Sequence, residues 1–204
     1  MAVAGLLLTG GASRRMGRNK AELVLPDFRR RSTDANRSEL LGGLTLAERT
    51  AGLLATATTI AIEVGPGFSR LPHVCESPPG SGPLAAVVAG WAELDRLGHS
   101  GPVLVVATDL PRLTSGMLDW LSRFPADRSV VPVARGHLQP LCARYEASDL
   151  VLATRLVADG RRAMSDLVEA VDAVLAPEET WSEFAGDPLC LDDLDTPDQF
   201  DAYS

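Results

Sequence analysis

The sequence predicts an α/β protein with a mostly parallel sheet and helices on both faces. Three observations carry that expectation. Residues 2–8 (AVAGLLL) and 103–107 (VLVVA) are short, continuously apolar runs, as strands buried on both faces require. Each run ends in a turn-forming or helix-breaking group, Gly10-Gly11 after the first and Asp109 and Pro111 after the second. Between and after them lie segments whose apolar residues recur at helical spacing. Strands alternating with helices imply crossover connections, and those bring strands parallel.

The elements follow in order. A strand over 2–8 is succeeded by a helix over 45–56, where Thr45 and Glu48 have capping-box spacing and Leu46, Leu53 and Leu54 form a stripe. A strand is expected over 58–64 (TTIAIEV), closed by Gly-Pro-Gly. The clearest helix is 84–97, with Leu84, Val87, Val88, Trp91, Leu94 and Leu97 on one face. After the strand 103–107, Thr114 or Ser115 caps a helix through Phe124, with Met117, Leu118 and Leu121 inward. Strands near 129–133 and 138–145 precede helices over about 149–158, ended by Gly160, and near 163–171. A short strand near 189–191 leads to a last helix, capped by Thr196 with Pro197 at its first position and Gln199 completing a second box.

With 204 residues, 46% hydrophobic, the chain can bury one core, and a single domain over 1–204 is expected. Residues 26–44 break the pattern: polar, and bracketed by Pro26 and Gly42-Gly43. They read as a mobile surface excursion, or as a loop whose Arg29, Arg30, Arg31 and Arg37 meet an anionic partner. No apolar run is long enough for a membrane span. No basic segment precedes the first apolar run, so no secretory signal is expected. Cys75, Cys142 and Cys190 are odd in number and lack CxxC spacing, which suits a reducing cytoplasm. His73, His99 and His137 show no metal-ligand spacing.

Charge is unevenly spread. The net charge is −8, yet residues 1–50 hold nine basic and five acidic side chains. After Arg162 there is no basic residue against twelve acidic ones, a distribution that a solvated acidic face explains. General nucleic-acid binding rests on many phosphate contacts, so this composition excludes it as a main activity. A local basic site for a small polyanion remains open.

The first turn, LLTGGASRRMGRNKAEL over residues 7–23, is the candidate. It is neither a Walker A motif nor GxGxxG, yet its chemistry is that of a phosphate site. Gly10 and Gly11 let the backbone approach a ligand and point N–H groups at it. Ser13 offers a hydroxyl, and Arg14, Arg15, Arg18 and Lys20 offer positive charge. Lys20 is the only lysine in the chain. A solvated basic loop is the plainer alternative. Asp109 follows the second buried strand, where a lone carboxylate suits Mg²⁺ or simply caps the turn. In open α/β sheets ligands sit at the carboxyl ends of strands, and both features are placed there.

With these residues identified, the chain resembles the molybdenum cofactor guanylyltransferase family of the Rossmann-like nucleotidyltransferase fold. The turn at 7–23 is similar to the family's L-x-G-G-x-S-x-R-M-G-x-x-K signature. GSGPLAAVVAG, ATDLPRLT, LQPLCARY, DGRRAMSDLVEAVDAV and DDLDTPDQF resemble further family segments in the family's order, so the likeness runs from residue 4 to about 200. The resemblance implies transfer of GMP from GTP to the phosphate of molybdopterin, with Mg²⁺, releasing pyrophosphate. It implies catalytic roles for Arg15, Lys20 and Asp109, with Asp109 on the metal. Gly10, Gly11, Ser13, Arg15 and Lys20 would wrap the triphosphate, Gly82, Pro83 and Leu84 would line the nucleoside pocket, and Leu8 and Glu76 complete the substrate-binding set that the resemblance implies. Molybdoenzyme apoproteins or other cofactor-biosynthesis proteins are the protein partners implied, and neither nucleic acid nor membrane is.

The sequence departs from the family pattern at several positions. Asn19 stands where Asp commonly precedes the lysine, Glu76 where many relatives have Asp, and EVGPG where an Asn often follows the second strand. Asp193 and Asp195 replace two asparagines, adding charge that could serve the metal, repel the pterin phosphate or favour a helix N-terminus. Gly10-Gly11 favours guanine, since cytidylyl relatives tend to carry Ala-Gly. A CTP-dependent molybdopterin cytidylyltransferase and a non-catalytic pterin-binding protein stay open as alternatives.

Overall fold

The structure is a computed structural model and describes residues 2–10, 19–24, 43–125 and 127–194. Among these, eight strands form one sheet: β1 Ala4–Leu8, β2 Ile60–Val64, β3 His73–Val74, β4 Val103–Ala107, β5 Val130–Ala134, β6 His137–Leu138, β7 Cys142–Tyr145 and β8 Val174–Ala176. The six α-helices are α1 Leu46–Ala57, α2 Pro83–Arg96, α3 Ser115–Arg123, α4 Ala147–Ala158, α5 Met164–Ala170 and α6 Glu178–Ala185. The strand order is β3-β2-β1-β4-β7-β5-β6, with β8 beside β5.

β1, the middle of a parallel block, pairs with β2 and β4, and β2 pairs with β3. The sheet is mixed beyond it: β7 runs antiparallel to β4 and β5, β6 antiparallel to β5, and β8 parallel to β5. All five residues of β1 and of β4 are buried, because helices cover both faces. Leu7, Leu104 and Val106 pack with Leu54 of α1, Met117 and Leu121 of α3 and Trp181 of α6. Leu6, Leu8, Val103 and Val105 point to the other face, against Leu84 and Trp91 of α2, Leu150 of α4 and Leu167 of α5.

Local chemistry accounts for the helix ends. Thr45 Oγ1 accepts the Glu48 N–H at 3.2 Å, and the Glu48 carboxylate accepts the Thr45 N–H at 2.9 Å, so the expected capping box forms at α1. Thr114 accepts the Met117 N–H at 3.1 Å and is the cap of α3. Pro83 occupies the first turn of α2, where its missing N–H costs nothing.

The C-terminal third differs from expectation. Residues 189–191 form a turn, not a strand. Cys190 and Leu191 are buried, which is why the run looks strand-like, but Asp187 accepts the Leu189 and Cys190 N–H groups and curls the chain. β8 and α6 precede it and were not anticipated. The expected strand over 138–145 divides into β6 and β7, since residues 139–141 loop out and Leu141 accepts the Ala107 N–H at 2.8 Å. The last helix lies outside the described residues, as does most of the 26–44 excursion.

Candidate functional site at the strand ends

β1 and β4 end side by side, Leu8 opposite Ala107. Beyond them the Thr108 N–H donates to the Leu8 carbonyl at 3.3 Å, and Thr9 and Asp109 leave the sheet together. The chain is next described at Asn19. Its side-chain oxygen accepts the Ala21 N–H at 3.1 Å and caps a single 3₁₀ turn, Lys20–Glu22. Buried Ala21 and Leu23 hold that turn down, and the Leu23 carbonyl accepts the Leu46 N–H at 2.8 Å. Val24 and Thr45 form a bridge, so Lys20 rides on a segment tied to the start of α1.

That segment places the Lys20 ammonium 3.8 Å from Asp109 Oδ2. The side chains are 15% and 33% exposed, so the pair is partly desolvated and still reachable by a ligand. The Asp109 carbonyl accepts the Leu194 N–H at 2.8 Å, which carries residues 192–194 to the same edge. Asp193 is exposed there, and Asp195 lies outside the described residues. Arg112 clamps this approach by donating to Asp187 from Nε at 2.8 Å, with Nη2 2.6 Å from the same oxygen.

Gly10 is exposed, and a Cβ built on it would lie 4.0 Å from both Glu76 Oε1 and the Val64 carbonyl. The same Glu76 oxygen accepts the Gly80 N–H at 2.8 Å, so this carboxylate shapes the loop leading to α2. Gly82 caps α2 at φ 99°, with a place for Cβ only 3.0 Å from the Arg162 carbonyl. The Leu84 N–H donates to that carbonyl at 3.1 Å. The structure thus brings Lys20, Asp109, Gly10 and Glu76 to one edge, with Gly82 and exposed Pro83 at the head of α2. The side chains of Leu8 and Leu84 are buried in the core and do not face this edge. Gly11, Ser13, Arg14, Arg15 and Arg18 lie outside the described residues.

One residue here escaped the sequence reading. Glu63 is the penultimate residue of β2 and fully buried. The signal was available: a single carboxylate between Ile62 and Val64 in an apolar strand, directly before Gly-Pro-Gly. Burying such a group demands donors, and a glycine-rich loop supplies backbone N–H groups.

Among the described residues no group of three or more His, Cys, Asp or Glu is arranged to hold a metal. No helix among these residues is long and apolar enough to cross a membrane.

The architecture superposes on molybdopterin-guanine dinucleotide biosynthesis protein A from Archaeoglobus fulgidus with a TM-score of 0.74, covering 98% of this chain and 96% of that one at 20% identity. At that identity the likeness is one of fold. Residues 5–174 match the MobA-like NTP transferase domain. A relative from Mycobacterium bovis (strain BCG / Pasteur 1173P2), named probable molybdenum cofactor guanylyltransferase, is 34% identical over 84% of this chain and 82% of its own. One from Chloroflexus aggregans with the same name is 29% identical over 97% and 91%. The chain belongs to the MobA-like NTP transferase family.

Proposed function

We propose that this nucleotidyltransferase transfers GMP from GTP to the phosphate of molybdopterin and releases pyrophosphate. The 34% identity to a protein named probable molybdenum cofactor guanylyltransferase, over most of both chains, carries the choice of substrates. The Lys20–Asp109 pair beside Gly10 supports the chemistry.

In the reaction a phosphate oxygen of the pterin bonds to the α-phosphorus of GTP, and the bond from that phosphorus to the pyrophosphate oxygen breaks. The nucleophile is already anionic, so no side-chain base is required. The burden is to hold two anions in line and to stabilise the departing charge. Lys20 is built for the second task, as a compact ammonium on a backbone turn fixed to α1. Gly10, Gly11, Ser13 and Arg15 would cradle the triphosphate from the turn. Asp109 would hold Mg²⁺, which when bound neutralises phosphate charge. Glu76, with Gly82 and Pro83, would border the nucleoside. Three free cysteines support work in a reducing compartment, the cytoplasm.

The test is purified protein with Mg²⁺ and molybdopterin, supplied with GTP or CTP, read by pyrophosphate release. Release with GTP alone is expected. Release with CTP alone overturns the guanine assignment, and pterin binding without release from any nucleotide overturns the transferase reading.

A further inference from the structure

Glu63 takes no part in the chemistry above, yet its setting is costly. A carboxylate gives up its hydration on burial, a heavy cost unless its charge is answered. Among the described residues no lysine or arginine pairs with it. Five donors converge instead. Oε1 accepts the Thr9 hydroxyl at 2.6 Å and the Gly67 and Phe68 N–H groups at 2.9 and 2.7 Å. Oε2 accepts the N–H and hydroxyl of Ser69 at 2.8 and 2.6 Å. Two carboxylate oxygens offer about four lone-pair sites, so the acceptor capacity is filled.

The donors come from two places that matter for a ligand. Thr9 is the last residue before the exposed Gly10 and is itself 3% exposed. Gly67, Phe68 and Ser69 form the loop that leaves the carboxyl end of β2. The two segments also touch directly. The Thr9 N–H donates to the Val64 carbonyl at 3.1 Å. Gly65, at φ 150°, presses so close that a Cβ on it would lie 2.1 Å from Thr9 Oγ1 and 3.0 Å from the Gly10 nitrogen. A strand that needed only stability would carry valine or isoleucine here, because replacing a buried charge by an apolar side chain is often neutral or stabilising.

We propose that Glu63 is a positioning residue for the nucleotide: it locks Thr9, and with it Gly10, to the Gly65–Ser69 loop, so that the end of β1 and the loop after β2 meet the nucleotide as one surface. The proposal rests on the nucleotidyl-transfer reading and adds to it the residue that fixes Thr9 and Gly10 against the loop after β2 before the ligand arrives. Preorganisation of this kind acts on binding, since the ordering cost is met in folding.

The experiment compares wild type with Glu63→Gln, Thr9→Val, Thr9→Ser and the Glu63→Gln/Thr9→Val double variant. It measures the dissociation constant of Mg·GTP by calorimetry, KM for GTP and for molybdopterin, kcat and thermal midpoint. Glu63→Gln and Thr9→Val should each raise the GTP dissociation constant and KM by about tenfold, the scale of one hydrogen bond to a charged group. KM for molybdopterin and kcat at saturating GTP should stay within about twofold. The double variant should be no worse than either single one, and Thr9→Ser should bind GTP as wild type does. If Glu63→Gln does not fold, Thr9→Val decides, since it leaves the carboxylate in place and removes only the Thr9 hydroxyl, which donates to Glu63 at 2.6 Å and lies 3.5 Å from the Val64 carbonyl. Lower thermal midpoints with unchanged GTP affinity overturn the proposal and leave the transferase reading intact. A folded wild type that binds none of GTP, CTP or ATP overturns both.

Discussion

The Lys20 ammonium stands 3.8 Å from the Asp109 carboxylate, although one follows β1 and the other β4. Their meeting is a consequence of register. Leu8 pairs with Ala107, so both chains leave the sheet at one height, and the capped turn at Asn19 returns Lys20 to that point. The pair is the natural first target. Lys20→Ala should lower kcat/KM by about 100-fold or more, the usual loss when a charge-stabilising donor is removed. On the proposed role Lys20→Arg should lose about tenfold, because a planar guanidinium would not fit where a compact ammonium would reach between phosphate oxygens. Pyrophosphate release measures both, and full activity of the arginine variant refutes the geometric argument.

Asp109→Ala should abolish turnover, and raising Mg²⁺ should not restore it. The mutant should keep its thermal midpoint within a few degrees, since the side chain is one-third exposed and the Leu194 N–H bonds to the backbone carbonyl. Near-normal turnover in Asp109→Ala removes the metal assignment.

Gly65→Ala tests the close approach of the two loops. The added methyl meets Thr9 Oγ1 at 2.1 Å with φ at 150°, so sterics and backbone act together. A cost of about 1–3 kcal/mol is expected. At about 2–4 °C per kcal/mol for a chain of this size, calorimetry should find the midpoint lowered by several degrees. Gly52→Ala is the control. It sits in α1 with nothing near the added methyl, and should be neutral or slightly stabilising.

Glu63 should leave a signature in the acid stability of the fold. Burial pushes its carboxyl up, but the hydrogen bonds from Ser69, Thr9 and the Phe68 and Ser69 amides together outweigh it, and the group is held below its ordinary value. A carboxyl depressed by folding stabilises fully above its unfolded value of about 4.3, and the contribution fades as pH falls through the folded value. Urea midpoints of wild type and Glu63→Gln should therefore differ by a constant amount from neutral pH to about pH 5.5 and converge in more acid solution. A gap independent of pH down to acid unfolding contradicts the sign of this effect.

The three thiols should separate by reactivity. Burial raises the Cys142 thiol far above its usual range and pushes Cys190 up to about 12, while Cys75 is exposed. A thiolate-selective reagent at pH 8 should label one cysteine in the native protein and all three after denaturation. Rapid native labelling of Cys190 would place residues 187–191 outside the core.

Much of this fold could be read without coordinates, wherever a local cause was strong. The continuous apolar runs became β1 and β4, Thr45 and Glu48 became the expected capping box, and the leucine and valine stripe became α2. Residues 174–185 escaped because α6 buries only Trp181 and Ala185 among charged neighbours, and β8 is three residues long. The antiparallel course of β7 was equally hidden, since an apolar strand reads alike in both directions. Of the site, the glycines, Lys20 and Asp109 stood out by residue type and by position after buried strands. Glu63 did not, because its importance lies in donors that only the folded chain collects.

Residue order alone settles where β1, β4, α1 and α2 form, where α1 and α3 are capped, and which turns carry charge beside glycine. These are short-range matters of backbone preference, side-chain period and local hydrogen bonds. Proximity is another kind of fact. That Lys20 reaches Asp109, that Gly10 faces Glu76, and that one buried carboxylate binds the turn of the first strand to the loop of the second all depend on strand order and register. Those are set by how two apolar faces are covered at once, a property of the packed molecule and not of any segment within it.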